Sequence, residues 1–265
     1  MIVGLLILGI LAGILGTLFG IGGGIIFIPV LTIFYGLTAT EAAAVSLIGI
    51  IATSTSATTF YLQKKVTNIR LGLLLEISTA IGAMVGAFLS AYIQDWILMV
   101  IFAIVILISA LHMLIDKKKN VVSDSGKFTY HDLKENKDIN YDVHNVKSSF
   151  AACSVAGVVS SMTGIGGGVI KVPIMNLHMN VPIKAAMATS NYMIGITAFS
   201  GAIIYFLNGH VLLDVAAFVV IGAFLGSLMG KHLSMFIDGP SLKKYFSVLL
   251  IAVSIIMLLQ AGDVL

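Results

Sequence analysis

Two glycine clusters have the residue types and spacing for ligand chemistry. Gly20-Ile21-Gly22-Gly23-Gly24 precedes Pro29, and Gly164-Ile165-Gly166-Gly167-Gly168 precedes Pro173, at a constant offset of 144 residues. Glycine admits left-handed backbone and lets successive N–H groups converge on one point. A helix starting just after the cluster aims its partial positive charge at the same spot, which makes an anion site. The candidate solute contacts are therefore Gly20, Gly22, Gly23 and Gly24 with Gly164, Gly166, Gly167 and Gly168. Glycines in membranes also serve simply to let helices pack closely. That reading suits the four-residue spacings Gly82/Gly86 and Gly222/Gly226/Gly230 better. Pro29 and Pro173 each free a backbone carbonyl and are candidates for shaping the helix that leaves the cluster.

Polar side chains gather shortly downstream. Ser46, Thr53 and Ser54 occupy the apolar run after the first cluster, and Thr189, Ser190 and Asn191 the run after the second. Such hydroxyls often bond only to their own helix, but an oxyanion needs several neutral donors and these are the dense donor patches. Lys171 is the one basic residue embedded in an apolar helix, where the other repeat has Phe27. Charge at membrane depth is rare and functional as a rule, so Lys171 joins the candidate anion contacts, with snorkelling to the interface as the plain alternative. Glu41, Lys184 and Asp214 fall near the ends of apolar runs. Glu76 lies deeper in its run, a weaker candidate for proton coupling.

These residues sit in a duplicated frame. Gly13–Leu31 and Gly157–Met175 match at eight of nineteen positions without gaps, and Ala42–Ser46 falls on Ala186–Ser190 at the same offset. Gly82–Gly86 matches Gly222–Gly226 at an offset of 140. The composition is 58% hydrophobic and 10% charged, against about 25% charged in soluble domains. Thirteen of the 27 charges lie in Asp116–Lys147, so a soluble exterior is ruled out and the chain is a polytopic membrane protein. Apolar runs of spanning length fall at about 42–62, 71–92, 96–115, 185–207, 212–236 and 242–260. Ile2–Leu37 and Ser148–Met179 are each too long for one span and are cut by the glycine cluster, which predicts two helical hairpins with glycine tips. Irregular backbone at membrane depth requires protein or a water-filled cavity around it.

Loop charge predicts the orientation. Lys64, Lys65 and Arg70 flank the 62–71 loop, whereas its repeat counterpart, Asn208–Val211, has no lysine or arginine. By the positive-inside rule the first loop is cytoplasmic and the second external, so the halves are inverted. The expected fold is all-α: two inverted repeats, each a glycine-tipped hairpin plus three transmembrane helices, about ten helical segments in all. The first repeat covers 1–115, a cytoplasmic linker 116–147, and the second repeat 148–265, with both termini external. No basic region precedes the first apolar run, so the start is expected to be a mature membrane segment.

The linker's balanced charge and scarce apolar residues predict a solvated, partly disordered connector. His131 and His144 within it lack the spacing of a metal pair, and no metal or other cofactor is expected. The single Cys153 is expected to be a buried hydrophobe. Scattered lysines do not make a nucleic-acid face. No catalytic signature of the common hydrolase, protease or nucleotide-binding type is present, so no enzyme activity is expected.

Two copies of a GxGGG–xxxx–P segment, each followed by an apolar helix and a Ser46 or Thr189-Ser190 step and then a GxxxG span, resemble the TauE/SafE sulfite exporter family. The resemblance covers nearly the whole chain apart from the linker, which is longer than in many members. It implies a secondary transporter of a small anion in the cell membrane, with sulfite, thiosulfate, or an organosulfonate or organic acid as solute. It also implies an ion gradient as the driving force, with a proton or sodium as coupling ion. The alternatives are an anion channel or importer with the same cavity, or an intramembrane scaffold or enzyme.

Overall fold

The structure is a computed structural model describing residues 2–89, 95–115 and 126–263. Ten α-helices follow in chain order: α1 Ile2–Phe19, α2 Gly24–Tyr35, α3 Ala39–Gln63, α4 Ile69–Leu89 and α5 Asp95–Ile115, then α6 Val146–Thr163, α7 Gly168–Pro173, α8 Ile183–Leu207, α9 Leu213–Leu233 and α10 Gly239–Asp263. Six of them, α1, α3, α4, α8, α9 and α10, are long and apolar enough to cross a membrane. Helix α1 qualifies by itself: its 18 residues reach about 27 Å, whereas the 12 residues of α2 reach only about 18 Å. The first predicted hairpin is thus one full-length arm and one short arm. Helix α7 is shorter still and widens after Pro173 into a π-helical turn over Ile174–His178.

Local sequence sets the breaks. Gly36 takes left-handed backbone and its N–H bonds back to Leu31, ending α2. Thr38 and Glu41 then form a reciprocal capping box that starts α3. Between α1 and α2, and between α6 and α7, the glycine clusters provide the turn.

Packing follows the duplication. Helices α1 and α9 cross through small residues: a Cβ at Gly222, Gly226 or Gly230 would strike the carbonyl of Leu6, Ile10 or Ile14. Their counterparts α6 and α4 do the same, with Gly82 and Gly86 against Ser154 and Val158, and Gly157 against Thr79. The four-residue glycine spacings therefore serve close helix packing. Helices α3 and α8 occupy equivalent places in the two halves and pack on each other. Leu47 lies by Gly201, Ser54 by Asn191 and Gly195, and Thr67 by Ala188, so the two helices run antiparallel.

The linker departs from the solvated connector expected of it. Residues 116–125, including Lys117–Lys119, lie outside the described residues, but the rest is an ordered β-hairpin, β1 Phe128–Asp132 and β2 Lys137–Tyr141, in the register Phe128↔Tyr141 to Asp132↔Lys137. Tyr130 and Tyr141 are buried in a cluster with Met175, Met179, Val181 and Ala185. The charges that suggested solvation are partly spent on docking. Asp132 Oδ1 takes Lys184 Nζ at 2.8 Å and the N–H groups of Lys134 and Glu135. Lys134 pairs with Asp238, the His131 N–H bonds to the Lys65 carbonyl, and Asn68 Nδ2 donates to the Tyr141 hydroxyl at 2.8 Å. His131 itself faces Asp138 and Asn136. The hairpin thereby clasps the α3–α4 loop, the start of α8 and the α9–α10 loop.

Two outcomes follow from this packing. Gly226→Val should lower stability by about 2 kcal/mol, the usual scale of overpacking, whereas Gly262→Ala, with nothing near its Cβ position, should change little; thermal unfolding in detergent measures both. Burial would raise the Asp132 carboxyl, but the Lys184 ammonium and the two N–H groups outweigh it and hold the group below its ordinary value. Its contribution is present in full above the unfolded carboxylate value of about 4 and fades as pH falls through the lower folded value. Lys184→Met, which strands a buried carboxylate, should cost about 3 kcal/mol and expose the hairpin to limited proteolysis at neutral pH.

Candidate functional site

The glycine clusters form two turns of the same shape. Positive φ occurs at Gly20, Gly22 and Gly23 (71°, 74° and 91°) and at the equivalent Gly164, Gly166 and Gly167 (68°, 85° and 70°). A side chain resists this backbone, which accounts for the repeated residue choice. Gly24 and Gly168 start α2 and α7, and both are fully enclosed. The reason is that the two tips touch. A Cβ on Gly24 would lie 2.7 Å from Ile165 Cα, and one on Gly168 would meet the Gly20 carbonyl and lie 2.7 Å from Ile21 Cα. Backbone meets backbone at the centre of the bundle.

One carbonyl of each tip is satisfied by a serine of the opposite half. Ser46 on α3 donates to the Gly164 carbonyl at 2.8 Å, and Ser190 on α8 donates to the Gly20 carbonyl at 2.6 Å. Thr53 donates to the Gly22 carbonyl at 3.0 Å or to Ile50 within its own helix at 2.9 Å. Asn191 Nδ2 donates to the Thr17 carbonyl at the end of α1 at 2.8 Å, and Ser54 donates to the Asn191 carbonyl at 2.5 Å. Thr189 stands apart: its Oγ1 accepts the Asn68 N–H at 3.0 Å and so anchors the α3–α4 loop. Ser46, Thr53, Ser190 and Asn191 are thus brought to the tips and the end of α1, whereas Ser54 joins α3 to the interior of α8 and Thr189 anchors the α3–α4 loop. Their visible part is to hold the loops in shape. Among the described residues, the N–H groups of Gly23, Gly24 and Ile25, and of Gly167, Gly168 and Val169, have no backbone acceptor. Donors remain at the tips while acceptors are covered.

Lys171 is buried in α7 and does not snorkel to a surface. Its Nζ lies 3.0 Å from Glu76 Oε2 and 2.6 Å from Thr197 Oγ1. Glu76, equally enclosed on α4, also accepts the Thr197 hydroxyl at 2.5 Å and the Thr79 hydroxyl at 2.6 Å. Thr197 and Thr79 escaped the reading of the sequence, because nothing local marks them. The ion pair itself had a signal, since Lys171 and Glu76 are the ionisable residues deepest in apolar runs and have opposite signs. Their separation of 95 positions in the chain hid the contact.

Pro29 and Pro173 behave differently. Pro29 lies within an uninterrupted α2, where Thr32 donates to the carbonyls of Ile28 and Pro29. Pro173 ends α7, and the missing N–H coincides with the switch to the wider π turn.

Comparison with known proteins agrees with this architecture. The chain matches the family described as "Sulfite exporter TauE/SafE" over residues 5–257. It is 28% identical over 238 residues to the "probable membrane transporter protein YunE" of Bacillus subtilis (strain 168), covering 87% of each chain. It is 27% identical over 271 residues to the "probable membrane transporter protein MJ0441" of Methanocaldococcus jannaschii, covering 96% of this chain and 94% of that one. A "probable membrane transporter protein" of Haemophilus influenzae is 24% identical over 245 residues, covering 89% and 86%. No solved structure matches the chain significantly. With the match spanning both glycine tips and all but the extreme ends of the sequence, the chain belongs to the sulfite exporter TauE/SafE family of membrane transporters.

Proposed function

We propose that the protein is a secondary transporter of a small oxyanion, with sulfite, thiosulfate, or an organosulfonate or organic acid as solute, bound where the two glycine tips meet. The observation that carries this reading is the division of labour at the tips. Serines from the opposite half cover the carbonyls of Gly20 and Gly164, and the N–H groups after each tip are left without backbone acceptors. An anion at that junction gains hydrogen bonds from both halves, as in transporters whose half-helix ends converge at mid-membrane. A coupling ion, proton or sodium, supplies the gradient. The family description and the relatives' names support a transport role; the sulfur-containing solutes are what the family resemblance implies, and the donor chemistry of the tips supports an oxyanion.

The bundle sits in the cell membrane as two inverted repeats. Antiparallel packing of the equivalent helices α3 and α8 supports the inversion, because it puts their C-terminal ends, at Lys64 and Asn208, on opposite sides of the bundle. The hairpin clasps the lysine-bearing loops, so the positive-inside rule makes that side cytoplasmic.

Cysteine substitutions at Lys64 and Asn208, both exposed, should label from opposite sides of the membrane; labelling from one side would refute the inversion. Gly167→Val should lower uptake of every solute of the class at least tenfold in proteoliposomes, about 1.4 kcal/mol of binding, with insertion intact. Full activity in that variant would exclude the tip as the site. A thermal-shift screen of sulfite, thiosulfate, sulfoacetate, acetate and phosphate should raise the melting temperature for the true solute class alone, since ligand binding to the native state stabilises it.

A further inference from the structure

We infer that Glu76 and Lys171 form a proton-linked anion switch: a proton taken up by Glu76 frees the Lys171 ammonium to pair with the solute. The inference rests on the proposed anion site and adds to it a coupling group and a stoichiometry.

The pair is placed where no packing need requires it. Its counterparts in the other half, at the offsets of the duplication, are Phe27 for Lys171, Ala216 for Glu76 and Val219 for Thr79. All three belong to one apolar cluster, in which a Cβ at Gly49 would touch both Phe27 and Val219. Only Thr53, the counterpart of Thr197, keeps its polarity. The same backbone is therefore built once with an apolar filling and once with a buried ion pair. A buried pair is a poor stabiliser compared with well-packed apolar groups, so stability gives no reason for the difference.

Position ties the pair to the second tip. Lys171 follows Gly167 by one turn, and its N–H bonds to the Gly167 carbonyl at 2.9 Å. A Cβ placed on Gly167 would lie 3.4 Å from Lys171 Cε and 3.1 Å from Ser160 Oγ. That hydroxyl is fully buried and has no hydrogen-bond partner among the described residues. An unpartnered buried donor is costly. It lies beside the lysine stem and the second tip, so a ligand acceptor reaching that point would satisfy it.

Charge balance sets the chemistry. With both groups ionised the site is neutral, and the carboxylate accepts hydrogen bonds from Lys171, Thr79 and Thr197. A monovalent anion entering alone would leave net negative charge in a buried site, which is strongly disfavoured. If one proton enters with it, Glu76 becomes a neutral carboxylic acid, the ammonium pairs with the anion, and the site is neutral again. No covalent bond changes; one proton and one monoanion are taken up together. Among titratable groups on the elements packed against Glu76, Lys171 lies on α7, Cys153 on α6 and Tyr192 on α8. An ordinary thiol and an ordinary phenol are neutral at neutral pH, which leaves the carboxyl as the group that switches.

The test uses methanesulfonate, whose single charge is constant over the range, with purified full-length protein in detergent. Wild-type affinity should fall as pH rises, by up to about tenfold per pH unit for the uptake of one proton. Glu76→Gln, which mimics the protonated carboxyl, should bind with an affinity independent of pH, and Lys171→Met should not bind. The double variant Lys171→Met/Glu76→Gln, with no buried charge, should fold and not bind. Wild-type binding that is independent of pH, or a folded Glu76→Gln that loses binding at every pH, overturns the proposal. Infrared spectroscopy supplies a readout free of any solute. A protonated carboxyl band absent from the double variant should appear in wild type on acidification and grow when methanesulfonate is added. If methanesulfonate binds at no pH, the sulfonate solute class is wrong, and the band alone decides: its appearance keeps the switch, and its absence removes it.

Discussion

A helix broken inside an apolar bundle leaves carbonyls and N–H groups that water cannot reach, and each unpaired group at membrane depth is costly. The two glycine tips are such breaks. Their carbonyls are met by hydroxyls from the other half of the molecule, Ser190 on Gly20 and Ser46 on Gly164. Each half thus takes a serine from the other, while Thr53 also meets the Gly22 carbonyl within its own half. Much else in the architecture follows from that exchange. Helices α3 and α8 must pass each other at the centre to deliver their serines, and the tips must approach until Gly24 and Gly168 have no room for a side chain. The outer helices then close around them through the small-residue crossings of α1 with α9 and α4 with α6.

Against this symmetric frame the polar interior is unequal. One half fills the space beside its short helix with Phe27, Ala216 and Val219, the other with Lys171, Glu76 and Thr79. The frame tolerates either filling because the helix positions are set by glycine contacts and tip hydrogen bonds, which both halves share. What changes is the electrostatics of one side of the centre. A transporter needs its binding energy to depend on state, and a buried ion pair next to one tip gives such a dependence without altering the scaffold.

The charged linker shows how composition alone can mislead. Its acids and lysines have the balance of a solvated tether, yet Asp132 is buried against Lys184, and Tyr130 and Tyr141 pack beneath the strands. Few apolar residues suffice, because the surface they cover is supplied by the ends of α3, α6 and α8 rather than by the hairpin. The hairpin bridges loops from both repeats on one side of the bundle, so the connection between halves is also a clamp on them.

Membrane class, the duplication, the helix count and the identity of the tips were legible in the residues themselves. Each is a matter of local composition or of self-comparison: apolar runs and the repeated GIGGG with its proline. Gly20, Gly22 and Gly23 and their counterparts were legible as turns because positive φ restricts the residue type. The partners of the polar side chains were not. Ser46, Ser190 and Asn191 could be read as donors, but whether they faced a solute or a carbonyl depended on a tip more than a hundred residues away. Lys171 and Glu76 each stood out as charges at depth, and only the approach of α7 to α4 joined them. Hydrogen bonds and ion pairs depend on distances of a few ångströms between remote segments, which the residue order alone does not specify; the tertiary fold decided them.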